Sequence, residues 1–184
     1  MFQRTRDYAK DYERIGSTIR YKGKHYRLTM EQPAQNWRKA AYVFFLLFAL
    51  VLFVAIGFSG SPALGAQGGA GGGATPLYVV LPYVIVLLPL GLGLARAVLL
   101  AVKSKPLEYA EYDKYLVQQK AVLLSAIAAS GVLFLGALAF LLIGQADLAP
   151  QWIAIAEILL CGGCIFLAFR QYHALLGSIA IDEA

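Results

Sequence analysis

Three side chains in the last apolar stretch of the sequence have the chemistry for a binding or reactive site. Glu157 is a carboxylic acid, and the thiols Cys161 and Cys164 follow it by four and seven residues, so in a helix all three share one face. A carboxyl group inside a membrane span is costly and is a functional candidate by default. Glu157 is therefore a candidate site for a proton or a ligand. The simpler interpretation is that it reaches water at the outer surface, or is protonated and hydrogen-bonded to a neighbouring span.

The two cysteines enclose two glycines and match the CxxC spacing of thiol oxidoreductases. A four-span protein with this motif in its fourth helix resembles the vitamin K epoxide reductase family, and this resemblance implies thiol oxidation in the membrane. The chain departs from that family because it has no further cysteines in its first outer loop. Two small thiols beside two glycines also suit a close contact between helices, which is the simpler interpretation.

No other catalytic or metal-binding pattern occurs in the sequence. The two histidines, His25 and His173, lie far apart, and HExxH, GxSxG and phosphate-binding glycine motifs are absent. We therefore predict no catalytic residue, no metal site and no cofactor, and we favour a protein that is not an enzyme.

The composition indicates a membrane protein. Of 184 residues, 59% are hydrophobic and 15% charged, and the mean hydropathy is +0.63, which excludes an ordinary soluble enzyme. We predict an all-α integral membrane protein in which residues 40–184 form a four-helix bundle, because four stretches can each cross about 30 Å of hydrocarbon. These spans are 40–58, 77–102, 121–144 and 152–169, with outer loops 59–76 and 145–151 and an inner loop 103–120.

The basic residues predict the orientation of the spans. All 16 lysines and arginines lie before the first span, in or beside the inner loop, or after the fourth span. Because short loops rich in these residues stay in the cytoplasm, both termini are predicted to be cytoplasmic, in a plasma (cytoplasmic) membrane. This asymmetry also explains the net charge of +5, so we predict contact with anionic lipid headgroups and no nucleic acid.

Residues 1–39 are predicted to form a basic N-terminal module. Apolar residues at helical spacing predict an amphipathic helix over 2–15, which would end at Gly16. Alternating residues on both sides of Lys22-Gly23 predict a β-hairpin over 19–28. Because a lone two-stranded hairpin is marginal in water, its apolar face must pack on something.

The basic arm and the inner loop together predict a surface for lipid or for a partner protein. Pro106 is expected to open a helix in the inner loop, with tyrosines on one face and acidic residues beside them. The predicted surface residues are Arg20, Lys22, Lys24, Arg27, Tyr109 and Tyr112. The residues leave open whether arm and loop close on each other as a cap or form a platform for a partner.

Small residues in the third span recur at intervals of three and four, which predicts the central helix contact of the bundle or, equally, the contact of a homo-oligomer. They are Ser125, Ala128, Ala129, Val132, Gly136 and Ala139.

These features predict a non-enzymatic accessory, scaffold or regulatory subunit that binds a protein partner or anionic lipid through its cytoplasmic face. The alternative is a small carrier or channel with Glu157 as its intramembrane carboxyl. Small multidrug carriers are similar in having four spans and one membrane glutamate, although their glutamate lies in span one and Glu157 lies in span four. A remote alternative is a membrane thiol oxidoreductase that uses Cys161 and Cys164.

Overall fold

The computed structural model is mostly helical and describes residues 12–15, 18–21, 23–58, 77–143 and 148–182. The helices are α1 (Gln32–Phe58), α2 (Leu77–Val102), the short α3 (Tyr109–Tyr112), α4 (Gln118–Ile143) and α5 (Leu148–Leu176). A π-helical turn, Asp113–Val117, joins α3 to α4. The strands are β1 (Tyr12–Ile15), β2 (Thr18–Tyr21), β3 (His25–Leu28) and β4 (Ile179–Asp182).

Helices α1, α2, α4 and α5 are each long and apolar enough to cross a membrane, as the hydropathy predicted. Their outward surfaces are apolar as well, and Phe44, Leu88, Leu135 and Leu142 are all more than half exposed. Helices with apolar residues on every face are stable when their outer surface meets lipid. The fold is therefore compatible with a multi-pass membrane protein.

The four long helices pack in a closed ring. α1 contacts α2 and α5, and α4 contacts the same two helices from the other side. Large side chains from every helix fill the middle of the ring, among them Leu46 and Phe53 of α1, Leu90 of α2, Leu133 of α4 and Ile165 of α5. All of them belong to one continuous hydrophobic core.

The face that α4 turns toward the core is not the predicted one. Its buried residues are Gln119, Leu123, Ala126, Ser130, Leu133 and Ala137, which recur at intervals of three and four. Ser125, Ala128 and Val132 of the predicted stripe are exposed. The prediction that the stripe forms the central contact is wrong, because α4 carries small residues on all its faces and their spacing alone does not determine which face is buried.

The predicted amphipathic helix over 2–15 is wrong where it can be compared. Residues 12–15 form β1, which pairs antiparallel with β2 from Tyr12 opposite Tyr21 to Ile15 opposite Thr18. Residues 2–11 lie outside the described residues. The β-branched residues on both sides of the Gly16-Ser17 pair favour a short hairpin over a helix.

The predicted hairpin over 19–28 is also wrong, although both of its strands exist. β3 pairs with β4 from the far end of the chain, with Tyr26 opposite Ile181. On its other edge, the Tyr26 N–H donates to the Leu107 carbonyl and the Leu107 N–H donates to the Tyr26 carbonyl, both at 2.9 Å. Because both edges of β3 are occupied, β2 has no edge of β3 to pair with and pairs with β1 instead.

These contacts predict that the three segments around Tyr26 open and close together. The Tyr26 side chain is 7% exposed and its ring stacks on that of Tyr112 with centroids 4.1 Å apart. Tyr26→Ala should lower the free energy of opening by about 3 kcal/mol, which speeds amide exchange on the order of 100-fold. Hydrogen–deuterium exchange should show this faster exchange at 25–28, at Leu107 and at 179–182 alike.

Ile181→Ala is the matched control, because Ile181 is the β4 partner of Tyr26 but its side chain is 55% exposed. It should change exchange only slightly. If exchange in the Tyr26→Ala protein is faster only at 25–28, the three segments do not open and close together.

Candidate functional site

The polar residues of the described structure concentrate at one end of the bundle, where α1 begins, α2 ends and α5 ends. At this end the strands, α3 and the adjoining loops form a small layer over the helices. We call this layer the cap: it comprises the described residues of 12–31, 103–117 and 177–182. The cap therefore combines the N-terminal arm, the inner loop and the C-terminal strand.

Tyrosines form the interior of the cap. The Tyr26 ring stacks on Tyr112 and lies 6.0 Å from the Tyr109 ring, so the two predicted surface tyrosines are half-buried against the arm. The Tyr109 backbone N–H also donates to the Tyr21 hydroxyl at 3.1 Å, and the Tyr21 ring packs edge-on against Tyr12. The arm therefore closes on the inner loop, and the cap has its own aromatic core.

Two acidic residues of the inner loop bond to the arm and to Lys103, the residue that follows α2. The Tyr12 hydroxyl donates to Glu108 Oε2 at 2.7 Å, and this bond to a carboxylate raises the pKa of Tyr12 to about 12. Lys103 forms a hydrogen-bonded ion pair with Glu111, which raises the pKa of the lysine. These two contacts fix the position of α3 relative to the arm and to the residue that follows α2.

A cavity of about 240 Å³ lies where the cap meets the ends of α1 and α2. Four basic residues line it: Arg27, Lys39, Lys103 and Lys105. The Lys39 side chain is almost completely buried, and its ammonium donates to the Lys103 carbonyl at 2.8 Å. Leu100 and Leu107 provide an apolar floor, so the cavity is basic on its walls and hydrophobic at its base.

The predicted basic surface is only partly described. Arg27 lies on β3 with its side chain exposed at the cavity, and Lys24 is exposed just before β3. The Arg20 side chain and Lys22 lie outside the described residues. The sequence did not identify Lys39, Lys103 or Lys105 as members of one site, although all three flank predicted spans, because only the fold brings the ends of α1 and α2 together.

A second polar cluster crosses the helices next to the cap, and the sequence did not predict it. Gln119 is fully buried, and its Nε2 donates to the Tyr42 hydroxyl at 2.6 Å and to the Gly93 carbonyl at 3.0 Å. The Tyr172 hydroxyl donates to the Leu116 carbonyl at 2.6 Å. The only signal in the sequence was an amide at the start of an apolar span. These bonds tie α1, α2 and α4 to one another and α5 to the π-helical turn.

Glu157 lies in the other half of α5, 19 residues or about 28 Å before the end of that helix at Leu176. Its side chain is half-buried, and its Oε2 is buried without a hydrogen-bond partner among the described residues. The structure therefore separates Glu157 from the basic cavity and leaves one carboxyl oxygen unsatisfied.

Both cysteines are free and buried. The Cys161 thiol donates to the Ala49 carbonyl of α1 at 3.4 Å. Ala154 and Ala168, which lie on the same face of α5, are buried too. Within the described ranges, no group of three or more His, Cys, Asp or Glu residues is arranged to hold a metal ion. The Cys161 thiol contributes to the packing of α5 on α1.

Comparison with protein-family models, with curated proteins and with solved structures finds no match for this chain. What the site can do is therefore inferred from its own geometry and charge.

The ion pair in the cap predicts loss of stability at alkaline pH. The folded-state pKa of Lys103 lies above its ordinary value of 10.5 because of the bond to Glu111. Its stabilising contribution is therefore complete below pH 10.5 and is lost as the pH rises through the higher folded-state pKa. Thermal unfolding, followed by near-ultraviolet circular dichroism of the tyrosines, should show this loss in the wild type.

Lys103→Gln should be less stable than the wild type at about pH 8 and should lose less stability above the ordinary lysine pKa. Lys120→Gln, which removes an exposed lysine from α4, should follow the wild-type pH profile. Parallel profiles for the wild type and Lys103→Gln would show that the ion pair does not contribute.

Proposed function

We propose that this protein is a non-enzymatic multi-pass membrane protein whose cap lies on the cytoplasmic side and serves as the accessory, scaffold or regulatory surface that binds a protein partner or anionic lipid. The observation that carries the proposal is the cap itself. β3 holds the inner loop on one edge and β4 on the other, so three distant segments form one preassembled surface. A preassembled surface loses little conformational entropy when it binds.

The distribution of charge supports the cytoplasmic placement of the cap. The basic residues that the structure describes concentrate at the cap end, as the positive-inside rule expects of cytoplasmic segments. On the outside of the bundle at this end, Trp37, Arg38 and Arg170 line a groove between α1 and α5, and Trp37 is highly exposed. Tryptophan and arginine together are typical of the headgroup region of a bilayer.

The exposed chemistry of the cap favours an acidic binding partner or an anionic membrane surface. Glu108 and Glu111 are engaged by Tyr12 and Lys103, whereas the Arg27 side chain is exposed at the cavity. The contacts inside the cap thus use these two acidic side chains and leave a basic one at the surface. Complementary charge of this kind speeds association and selects the partner.

Extraction from the native membrane in a mild detergent tests this proposal. We expect the chain to elute with a companion protein in fixed stoichiometry, identified by mass and by peptide sequencing. Tyr26→Ala, which weakens the cap, should release the companion, while Glu157→Gln at the other end of the bundle should retain it. Elution of this chain alone, as a monomer or a homo-oligomer, would contradict the binding of a protein partner and leave anionic lipid as the ligand of the cap.

A second candidate function is a small carrier or channel that uses Glu157. The unsatisfied Oε2 of Glu157 favours it, because a buried carboxyl oxygen without a partner is a site for a proton or a cation.

Proton permeability of reconstituted vesicles distinguishes the two functions. If the protein is an accessory subunit, Glu157→Gln should leave the decay of an imposed pH gradient unchanged. Glu108→Gln, which alters a carboxyl group in the cap, serves as the matched control. Slower decay in Glu157→Gln alone would favour the carrier.

A further inference from the structure

The basic cavity has more positive charge than its surroundings neutralise. Lys103 is paired with Glu111, but no carboxylate among the described residues forms an ion pair with Arg27, Lys39 or Lys105. Like charges around one cavity repel each other, and an anion between them removes that repulsion.

The burial of Lys39 is the strongest evidence for an anion in this cavity. Its side chain is only 6% exposed, and the one hydrogen bond from its ammonium goes to a neutral acceptor, the Lys103 carbonyl. A buried ammonium loses its hydration and needs a charged or fully bonded environment to compensate. The carbonyl satisfies one of its three N–H donors, so an anion in the cavity would supply what is missing.

The position and lining of the cavity identify the kind of anion. It lies beside Leu100 and Lys103, at the point where α2 ends, and therefore at the level of the headgroups if α2 spans the bilayer. Its apolar floor suits the carbon atoms of a lipid glycerol. Neutral polar side chains complete the lining and can bond headgroup oxygens: these are Gln32, Gln35 and Ser104.

We propose that this cavity binds the phosphate headgroup of an anionic phospholipid, with Arg27, Lys39 and Lys105 as its cationic contacts. The inference deepens the proposed function, on which it rests for the position of the cap at the membrane surface. It assigns the lipid to a defined cavity between α1, α2 and β3, and leaves the exposed part of the cap to a protein partner.

The test uses the full chain in nanodiscs of phosphatidylcholine alone, the same discs containing phosphatidylglycerol, and phosphatidylcholine discs with added inorganic phosphate. We expect phosphatidylglycerol to raise the thermal unfolding midpoint, because a ligand that binds only the folded state stabilises it. Inorganic phosphate should not reproduce this shift. An equal shift with phosphate would overturn the assignment to a lipid headgroup.

Two double variants with equal loss of charge separate the cavity from the general field of the basic end. Arg27→Gln with Lys105→Gln removes two exposed cavity residues. We expect the affinity for phosphatidylglycerol to fall roughly 30-fold. Arg38→Gln with Arg170→Gln removes two cations from the groove between α1 and α5 and should behave like the wild type. Equal losses in both would overturn the proposal, because the lipid would then respond only to net charge.

Lys39→Met tests the buried contact, since methionine keeps much of the aliphatic stem and removes the ammonium. The variant should be folded in phosphatidylcholine discs, as judged by its circular dichroism, and should lose the shift with phosphatidylglycerol. Retention of that shift would overturn the role of Lys39. If Lys39→Met does not fold, the double variant Arg27→Gln with Lys105→Gln tests the cavity in its place, because both of its side chains are exposed.

The outcomes for lipid and for partner are separable. If a companion protein co-elutes but phosphatidylglycerol has no effect, this inference fails and the proposed function stands. If phosphatidylglycerol stabilises the chain but the chain elutes alone, the headgroup site stands and the partner-binding function fails.

Discussion

The strand β3 and its residue Tyr26 connect all parts of the chain at the basic end. The backbone of Tyr26 exchanges two hydrogen bonds with Leu107, its ring stacks on Tyr112, and the opposite edge of the strand pairs with β4. Buried backbone groups need such partners, and a two-stranded pair is marginal by itself. The arm, the inner loop and the C-terminal strand therefore stabilise one another. Because they connect to α1, α2 and α5, the ends of these helices meet at the cap.

This arrangement divides the molecule into two chemical regions. At the cap end, the Gln119 cluster, the Lys103–Glu111 pair and the basic cavity lie within a few turns of helix of one another. Toward the other end, the long helices are mostly apolar, and among the described residues there Glu157 has the one charged side chain, with one oxygen that lacks a hydrogen-bond partner. An anion is therefore expected to bind at the cap end, whereas proton or cation binding within the helices would depend on Glu157. The two candidate functions thus use separate parts of the fold and can be tested independently.

The parts of the fold that follow from local composition were predictable, and those that depend on distant pairing were not. The long helices and the burial of Cys161 and Cys164 followed from hydropathy and helical spacing, because a span must be long and apolar and its face repeats regularly. The partner of β3 was not predictable, since Thr29 and Ser178, which bond beside that sheet, are 149 residues apart. The basic cavity was missed for the same reason: Lys39 lies in α1, whereas Lys103 and Lys105 lie in the inner loop, more than 60 residues later in the chain.

The most direct measurement is a disulfide cross-link between β3 and β4 in native membranes. Leu28 and Ile179 are directly opposite, and they form a pair without hydrogen bonds, because the neighbouring Thr29 N–H bonds to Ser178. In a Cys161→Ser, Cys164→Ser background, Leu28→Cys with Ile179→Cys should oxidise readily to an intramolecular disulfide. Leu28→Cys with Ala180→Cys should not, because adjacent residues of a strand point to opposite faces. Equal, slow oxidation of both pairs would contradict the assembly of the cap from the two ends of the chain.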